Sequence, residues 1–278
     1  MARPQFFGLH AEPSKRMKLF LMVIPFVVLI GLYFVASYFR HLTNESDKLL
    51  PTLSQMFDAF IRMAFVQDRR TGDYLLLTDA FHSLYRIFIG VFLASITALM
   101  IGLNMGLYKG FKALGNPLIT FIAMVPPLSI LPILFIAFGV GDFGKIMLIF
   151  IGTAPIMARD VSLYVSSIPK ETIIKAQTLG AKNLAVTYRI IMPMVIPKLI
   201  DSIRLSLGSA WLFVIAAEGI SSTSGLGYRI FLMRRYMNME VIIPYVILIT
   251  LLGVGMDLAL RHYVKKRYNW YVATNNLS

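Results

Sequence analysis

The chain has 278 residues, 57% of them hydrophobic and only 15% charged, with 27 Lys+Arg against 14 Asp+Glu for a formal charge of +13. Soluble domains carry roughly 45–50% apolar and ~25% charged residues, so an ordinary soluble enzyme is excluded, as are disordered, collagen-like and disulfide-stapled chains. The absence of cysteine removes thiol catalysis, Zn–thiolate sites and Fe–S clusters, which leaves an all-α polytopic membrane protein long enough for about six spans of ~20 residues.

Residues 19–39 form an uncharged run of 21 residues between Lys15, Arg16 and Lys18 on one side and Arg40 on the other. A signal peptide's apolar stretch is ~7–15 residues, so this run reads as a first spanning helix after a short segment, 1–18. Residues 40–79 follow outside the membrane. Within them Leu53, Met56, Phe57, Phe60, Ile61 and Ala64 recur at helical spacing, with Ser54, Gln55, Asp58 and Arg62 on the other face; this predicts an amphipathic helix over 51–66, lying on the outer surface. The main body is 80–267, with apolar runs at 87–107, 118–140, 146–158, 190–217 and 241–260, and a tail of 268–278 closes the chain. Gly102 and Gly106 form a small-xxx-small pair that allows close helix packing.

Pro126, Pro127 and Pro132 stand in the middle of the run 118–140. Prolines there free backbone groups, which is tolerated only where those groups are buried in protein or line a watery cavity. A pathway role is expected for Pro126 and Pro127, with Ser129 as a lining hydroxyl; a packing kink is the plainer alternative.

An even number of spans puts both termini on one side, and the Lys/Arg distribution decides which. With the N-terminus cytoplasmic, the inner segments 1–18, 108–116, 159–198 and 261–278 hold 16 of the 27 basic residues, whereas 40–79 holds five basic residues and six acids. Both termini are therefore expected in the cytoplasm. Arg229, Arg234 and Arg235 fall in the last outer loop and count against this orientation.

The long inner loop, 159–198, carries a predicted helical hairpin. Pro169 stands in a first turn, Glu171 near its positive dipole end, and Gly180 is placed as a C-terminal cap. A turn over 181–183 leads to a second helix, LAVTYRIIM, which Pro193 is expected to close. Nothing in the stability of the spans requires such a hairpin, which points to a docking role.

The run Ile174-Lys175-Ala176-Gln177-Thr178-Leu179-Gly180-Ala181, followed by Tyr188-Arg189-Ile190-Ile191-Met192-Pro193 and Pro197, resembles the coupling loop of permease subunits of ATP-binding-cassette importers. Two more runs are similar to the nitrate, sulfonate, taurine and bicarbonate branch: Val125-Pro126-Pro127-Leu128-Ser129-Ile130-Leu131-Pro132 with Phe138-Gly139-Val140-Gly141 and Lys145, and Leu207-Gly208-Ser209-Ala210-Trp211 with Glu218 and Ser224-Gly225-Leu226-Gly227-Tyr228. The resemblance spans roughly residues 51–266. It implies a type I importer permease fold, a second copy of the permease, ATPase subunits docked through residues 168–192, an extracytoplasmic binding protein, and a bacterial inner membrane. Pro169, Glu171, Lys175, Ala176, Leu179, Gly180, Ala181, Tyr188, Arg189 and Pro193 become the expected coupling residues. Ile174 stands where the family has Glu, so the ion pair that Glu makes with the ATPase does not carry over.

Glu218 is the only acid between Ile203 and Ile220. An ionisable group near the membrane is a functional candidate by default, and its alternative is an interfacial carboxylate paired with Arg229. Trp211 joins it as a pathway candidate, against the reading that it is a core or interface aromatic. Lys175, Lys182 and Arg189 read equally as inner-leaflet anchors. His10, His41, His82 and His262 have no ligand spacing, so no metal is assigned. There is no G-x-x-x-x-G-K-[ST] run; the chain is expected to bind no cofactor itself and to catalyse nothing, with ATP and Mg on the partner ATPase. No nucleic acid is expected as a partner. An ion-coupled secondary transporter would need ionisable residues buried in several spans, and a membrane-embedded enzyme a clustered acid/base or metal set; the expectation is that the spans hold no central Asp or Glu beyond Asp257, close to the inner end of the last, and that no such set is present.

Overall fold

A computed structural model describes residues 14–43, 47–69 and 72–275. Most of the predicted N-terminal segment, 1–13, and the end of the tail, 276–278, lie outside the described residues. Twelve α-helices follow one another among the described residues: α1 (Lys15–Thr43), α2 (Leu53–Phe65), α3 (Leu75–Leu107), α4 (Lys109–Met124), α5 (Leu131–Phe138), α6 (Asp142–Ser167), α7 (Lys170–Thr178), α8 (Asn183–Ala185), α9 (Met192–Ile220), α10 (Leu226–Arg235), α11 (Met239–Arg267) and α12 (Asn269–Asn275).

Among the described residues, five stretches are long and apolar enough to cross a membrane: Lys15–Leu42, Leu75–Leu107, Asp142–Ser167, Asn183–Ile220 and Met239–Arg267. A sixth crossing is made if the pair Lys109–Met124 and Pro127–Phe138, bent by 83°, counts as one span. The bend falls at the predicted prolines. Pro126 precedes a 3-10 turn, Pro127–Ile130, because a proline has no N–H to continue the ladder of α4. The Pro126 carbonyl accepts from both the Ser129 N–H at 3.0 Å and the Ser129 hydroxyl at 2.7 Å, so the serine closes the 3-10 turn.

The core is built on α3, α6 and α9, with the most extensive contact between α3 and α6. Glycines let those two axes approach: a Cβ on Gly90 would meet Ile149 at 2.7 Å, and one on Gly102 the Ala158 carbonyl at 2.6 Å. Gly106 faces Val165 in the same way. Burial is inverted outside this core. The most apolar window of α1 is entirely unburied, as expected of a helix whose solvent is hydrocarbon. Contacts near the C-terminal end of α1 fix its place: the Tyr33 hydroxyl donates to the Pro51 carbonyl (2.6 Å), Ser37 donates to the Leu50 carbonyl (3.0 Å), and Arg40 pairs with Asp47. The Arg40 guanidinium, with the Leu49 N–H, holds the Asp47 carboxyl below the usual carboxylate range.

The amphipathic helix predicted over 51–66 is α2, opened by a capping box between Thr52 and Gln55. It packs on α11, where Arg62 reaches Glu240 at 3.0 Å. The reading of the second hairpin helix needs correction. It does not close at Pro193: a π-helical turn, Val186–Ile191, joins α8 to α9, and the helical path from Asn183 to Ile220 is continuous. The wider turn displaces the carbonyls ahead of Pro193, where a regular helix would demand an N–H that proline lacks and bring its ring against the carbonyl four residues back. Pro169 is likewise the residue before α7 rather than in its first turn.

Candidate functional site

The two ends of the bundle present different polar chemistry. At the end where α3, α6 and α11 begin and α9 finishes, ionisable side chains from distant parts of the chain converge. Asp79, Ser83 and Arg86 lie at i, i+4 and i+7 on α3, which places them on one helical face, and they are 1%, 0% and 2% exposed. Glu218, 0% exposed, comes from the last turn of α9.

Arg86 is the hub. Its Nη1 donates to Glu218 Oε1 at 2.5 Å and to the Ser224 carbonyl at 3.0 Å, while Nε and Nη2 donate to Asp142 Oδ1 at 2.9 and 2.7 Å. The Ser83 hydroxyl donates to the Glu218 carboxylate (2.8 and 2.9 Å) and accepts from the Leu226 N–H at 2.9 Å. The Gly227 N–H completes the shell of Glu218 at 2.8 Å. Beside it, Asp79 accepts from the Gly225 N–H (2.9 Å), Arg229 Nε (2.8 Å) and the Tyr245 hydroxyl (3.3 Å). Lys145, 3% exposed, lies near enough to interact with Asp142 and Glu218. The three carboxylates Asp79, Asp142 and Glu218 are thus balanced by Arg86, Arg229 and Lys145. A buried charge is tolerable only when paired and hydrogen-bonded; Arg86, Glu218, Asp79 and Arg229 meet that condition and, with Asp142 and Tyr245, join α3, α6, α9, α10 and α11. Asp79, Asp201 and Glu218, all buried, correct the expectation that Asp257 is the only acid within the spans.

The alternative reading, an interfacial Glu218 paired with Arg229, is therefore corrected: Glu218 is buried and pairs with Arg86, and Arg229 pairs with Asp79. The loop Ser224-Gly225-Leu226-Gly227 is moulded to the carboxylate. Gly225 has φ +120°, and a Cβ there would overlap the Glu218 carboxyl group. Trp211 is buried at 6% exposure, one turn pair below Glu218 on α9, and its indole faces Gly253 of α11; the indole N–H has no hydrogen-bond partner among the described residues. Pro126 and Ser129 lie on the exposed side of the broken span, apart from this cluster.

At the opposite end, α7 projects from the bundle. Ala176 is its one buried residue, whereas Glu171, Ile174, Lys175 and Leu179 face outward, Leu179 at 89% exposure. Gly180 has φ +87°, its N–H donates to the Gln177 carbonyl (2.9 Å), and the Ala181 N–H donates to the Ala176 carbonyl (3.0 Å). This is a Schellman ending, which needs a left-handed residue at Gly180. Tyr188 and Arg189 are exposed on the π turn, and Pro193 is exposed at the start of α9. Beside this end Arg204 joins Asp201 (2.9 Å) and Asp257 (2.8 Å), and the Tyr271 hydroxyl of α12 donates to Asp201 at 2.9 Å. Burial and the neighbouring Asp201 carboxylate push the Tyr271 phenol up.

Residues 86–268 match the family described as the binding-protein-dependent transport system inner membrane component. The chain belongs to this family. The permease is 34% identical over 197 residues, 70% of its length and 79% of the relative's, to a probable ABC transporter permease protein of Brucella melitensis biotype 1. It is 29% identical over 226 residues to the taurine transport system permease protein TauC of Escherichia coli, covering 81% and 82% of the two chains. The bicarbonate transport system permease protein CmpB of Synechococcus elongatus is 28% identical over 191 residues, 68% of this chain and 69% of its own. A solved structure described as an inward-facing conformation of the MetNI methionine ABC transporter matches with a TM-score of 0.60 at 19% identity, over 69% of this chain and 96% of that one. The fold is that of a type I importer permease, and the relatives place the chain in the nitrate, sulfonate, taurine and bicarbonate branch. Within the permease, the Arg86–Glu218 cluster is the part that sequence reading missed. Its signal was the spacing of Asp79, Ser83 and Arg86 ahead of the apolar run at 87–107.

Proposed function

We propose that this permease passes a small anionic solute, of the taurine, sulfonate, nitrate or bicarbonate kind, from an extracytoplasmic binding protein across a bacterial inner membrane, as one of two copies driven by ATPase subunits seated on α7. The observation that carries the reading is the exposed face of α7, an apolar and charged surface ending in Leu179 and held in shape by Gly180. Such a surface on water calls for a protein partner. The hairpin and both termini are assigned to the cytoplasm by the basic residues of 159–198 and 261–278. Closure of the ATPases on ATP and Mg presses on α7, and because α8, the π turn and α9 form one helical path, the push reaches the core and shifts the population between two accesses of the pathway. The far-end cluster holds α3, α6, α9 and α10 together as one unit during that shift.

The test is uptake of labelled taurine, nitrate and bicarbonate into proteoliposomes holding the permease with its ATPase and binding protein. The expected result is uptake of one of these anions that needs both ATP and the binding protein, with no ATP hydrolysis by the permease alone. Uptake driven by an ion gradient without ATP would contradict the reading.

A further inference from the structure

One chain of hydrogen bonds at the hairpin end runs beyond the hairpin to the junction of α3 and α4. Gln177, on the exposed side of α7, donates its amide N–H to Asn183 Oδ1 at 3.1 Å. The Thr187 hydroxyl, in the π turn, donates to the Asn183 carbonyl at 2.9 Å. Thr187 has a single hydroxyl hydrogen and it is committed to that carbonyl, so the 2.9 Å contact between Tyr108 and Thr187 is made by the Tyr108 hydroxyl donating to Thr187 Oγ1. Thr187 is 2% exposed, which shields the bond from competing water.

Tyr108 is the single residue between α3 and α4. Its N–H caps α3 on the Asn104 carbonyl (2.9 Å), and its carbonyl starts α4 by accepting from the Lys112 N–H (2.9 Å). α4 leads directly to the break of 83° before Pro127. A cleft of about 200 Å³ separates α7 from this elbow, and the four relay residues line it together with Leu107 and Ile173. The relay crosses this gap. π turns inside helices occur frequently at functional sites.

We infer that Gln177, Asn183, Thr187 and Tyr108 form a relay that transmits the displacement of α7 to the α3–α4 elbow, and through α4 to the broken span, with Tyr108 and Thr187 as its positioning residues. The inference rests on the reading of α7 as the ATPase seat. It gives the permease a second route for the push, separate from the continuous helix into α9.

The experiment measures solute moved per ATP hydrolysed by the complete reconstituted transporter carrying Tyr108→Phe, Thr187→Val, both together, or Thr187→Ser. Each of the first two is expected to lower that ratio roughly two- to tenfold, the range one net hydrogen bond supports. The double variant should be no worse than either single one, because both remove the same bond. Thr187→Ser keeps the hydroxyl and should restore the ratio, and ATPase copurification should match the parent in all four. An unchanged ratio, losses that multiply in the double variant, or loss of the ATPase from Tyr108→Phe would each overturn the relay. Leu179→Asp separates the two levels: if it leaves ATPase copurification intact, the seat on α7 is itself wrong, whatever the relay variants do.

Discussion

Gly225 and Gly180 sit at opposite ends of the permease, and both have positive φ, +120° and +87°. Around Gly180 a Cβ would meet nothing within 4 Å, whereas at Gly225 it would strike the Glu218 carboxyl group. The same backbone requirement thus serves two designs. At the far end, glycine lets a loop close on a buried carboxylate that Arg86 and Ser83 already hold, so conformation, packing and charge are locked together. At the hairpin end, glycine only turns the chain, and the surface it shapes is left open. A region whose buried carboxylates are held by arginines and backbone N–H groups resists change, while one with exposed apolar side chains and a cleft behind it can respond to a partner.

Replacing Arg86 by Ala should break this comparison most severely. It leaves Glu218 buried beside Asp142 without its hub, which costs ~3–5 kcal/mol for a severed buried pair; the thermal midpoint of the detergent-purified permease should fall sharply. Gly225→Ala comes next. The strained φ alone costs ~1–3 kcal/mol, the new methyl displaces the carboxylate, and the midpoint should fall even though no charge has been removed. Gly180→Ala isolates the backbone effect, because the methyl enters open space. A loss of ~1 kcal/mol confined to the end of α7 is expected, so the midpoint should stay near the parent's while ATPase copurification weakens. Ile174→Glu, at a residue 58% exposed, should change stability least, within about 0.5 kcal/mol. It should reduce ATPase coupling by placing a carboxylate against a partner groove that this chain meets with an apolar residue. Transport equal to the parent's would mean that the groove has kept a basic residue.

The hairpin was legible because its signals are local: Pro169 marks where α7 starts and Gly180 where it ends, each acting within one turn. The broken span was legible for the same reason, through Pro126 and Pro127. Pro193 misled because a proline normally ends a helix, and nothing in the residues around it announces a π turn. The far-end cluster was hidden by distance along the chain. Glu218 has Arg229 eleven positions away in the sequence, the natural partner on paper, but its actual partner Arg86 is 132 positions away. What selects Arg86 is the close approach of α3 and α6 through Gly90, Gly102 and Gly106, which carries Arg86 between Asp142 and Glu218, and no local pattern encodes that meeting. The relay from Gln177 to Tyr108 is hidden likewise, since Tyr108 and Thr187 stand 79 positions apart.

Hydrogen exchange followed by mass spectrometry, on the permease alone and in complex with its ATPase, tests the contrast between the two ends directly. The account predicts that the amides of Gly225, Leu226 and Gly227, which donate to Asp79, Ser83 and Glu218, are strongly protected in both samples, while those of residues 170–185 exchange quickly in the free permease and slow on complex formation. Hairpin amides that exchange at the same rate with and without the ATPase, or a 225–227 loop that exchanges as fast as the free hairpin, would contradict it.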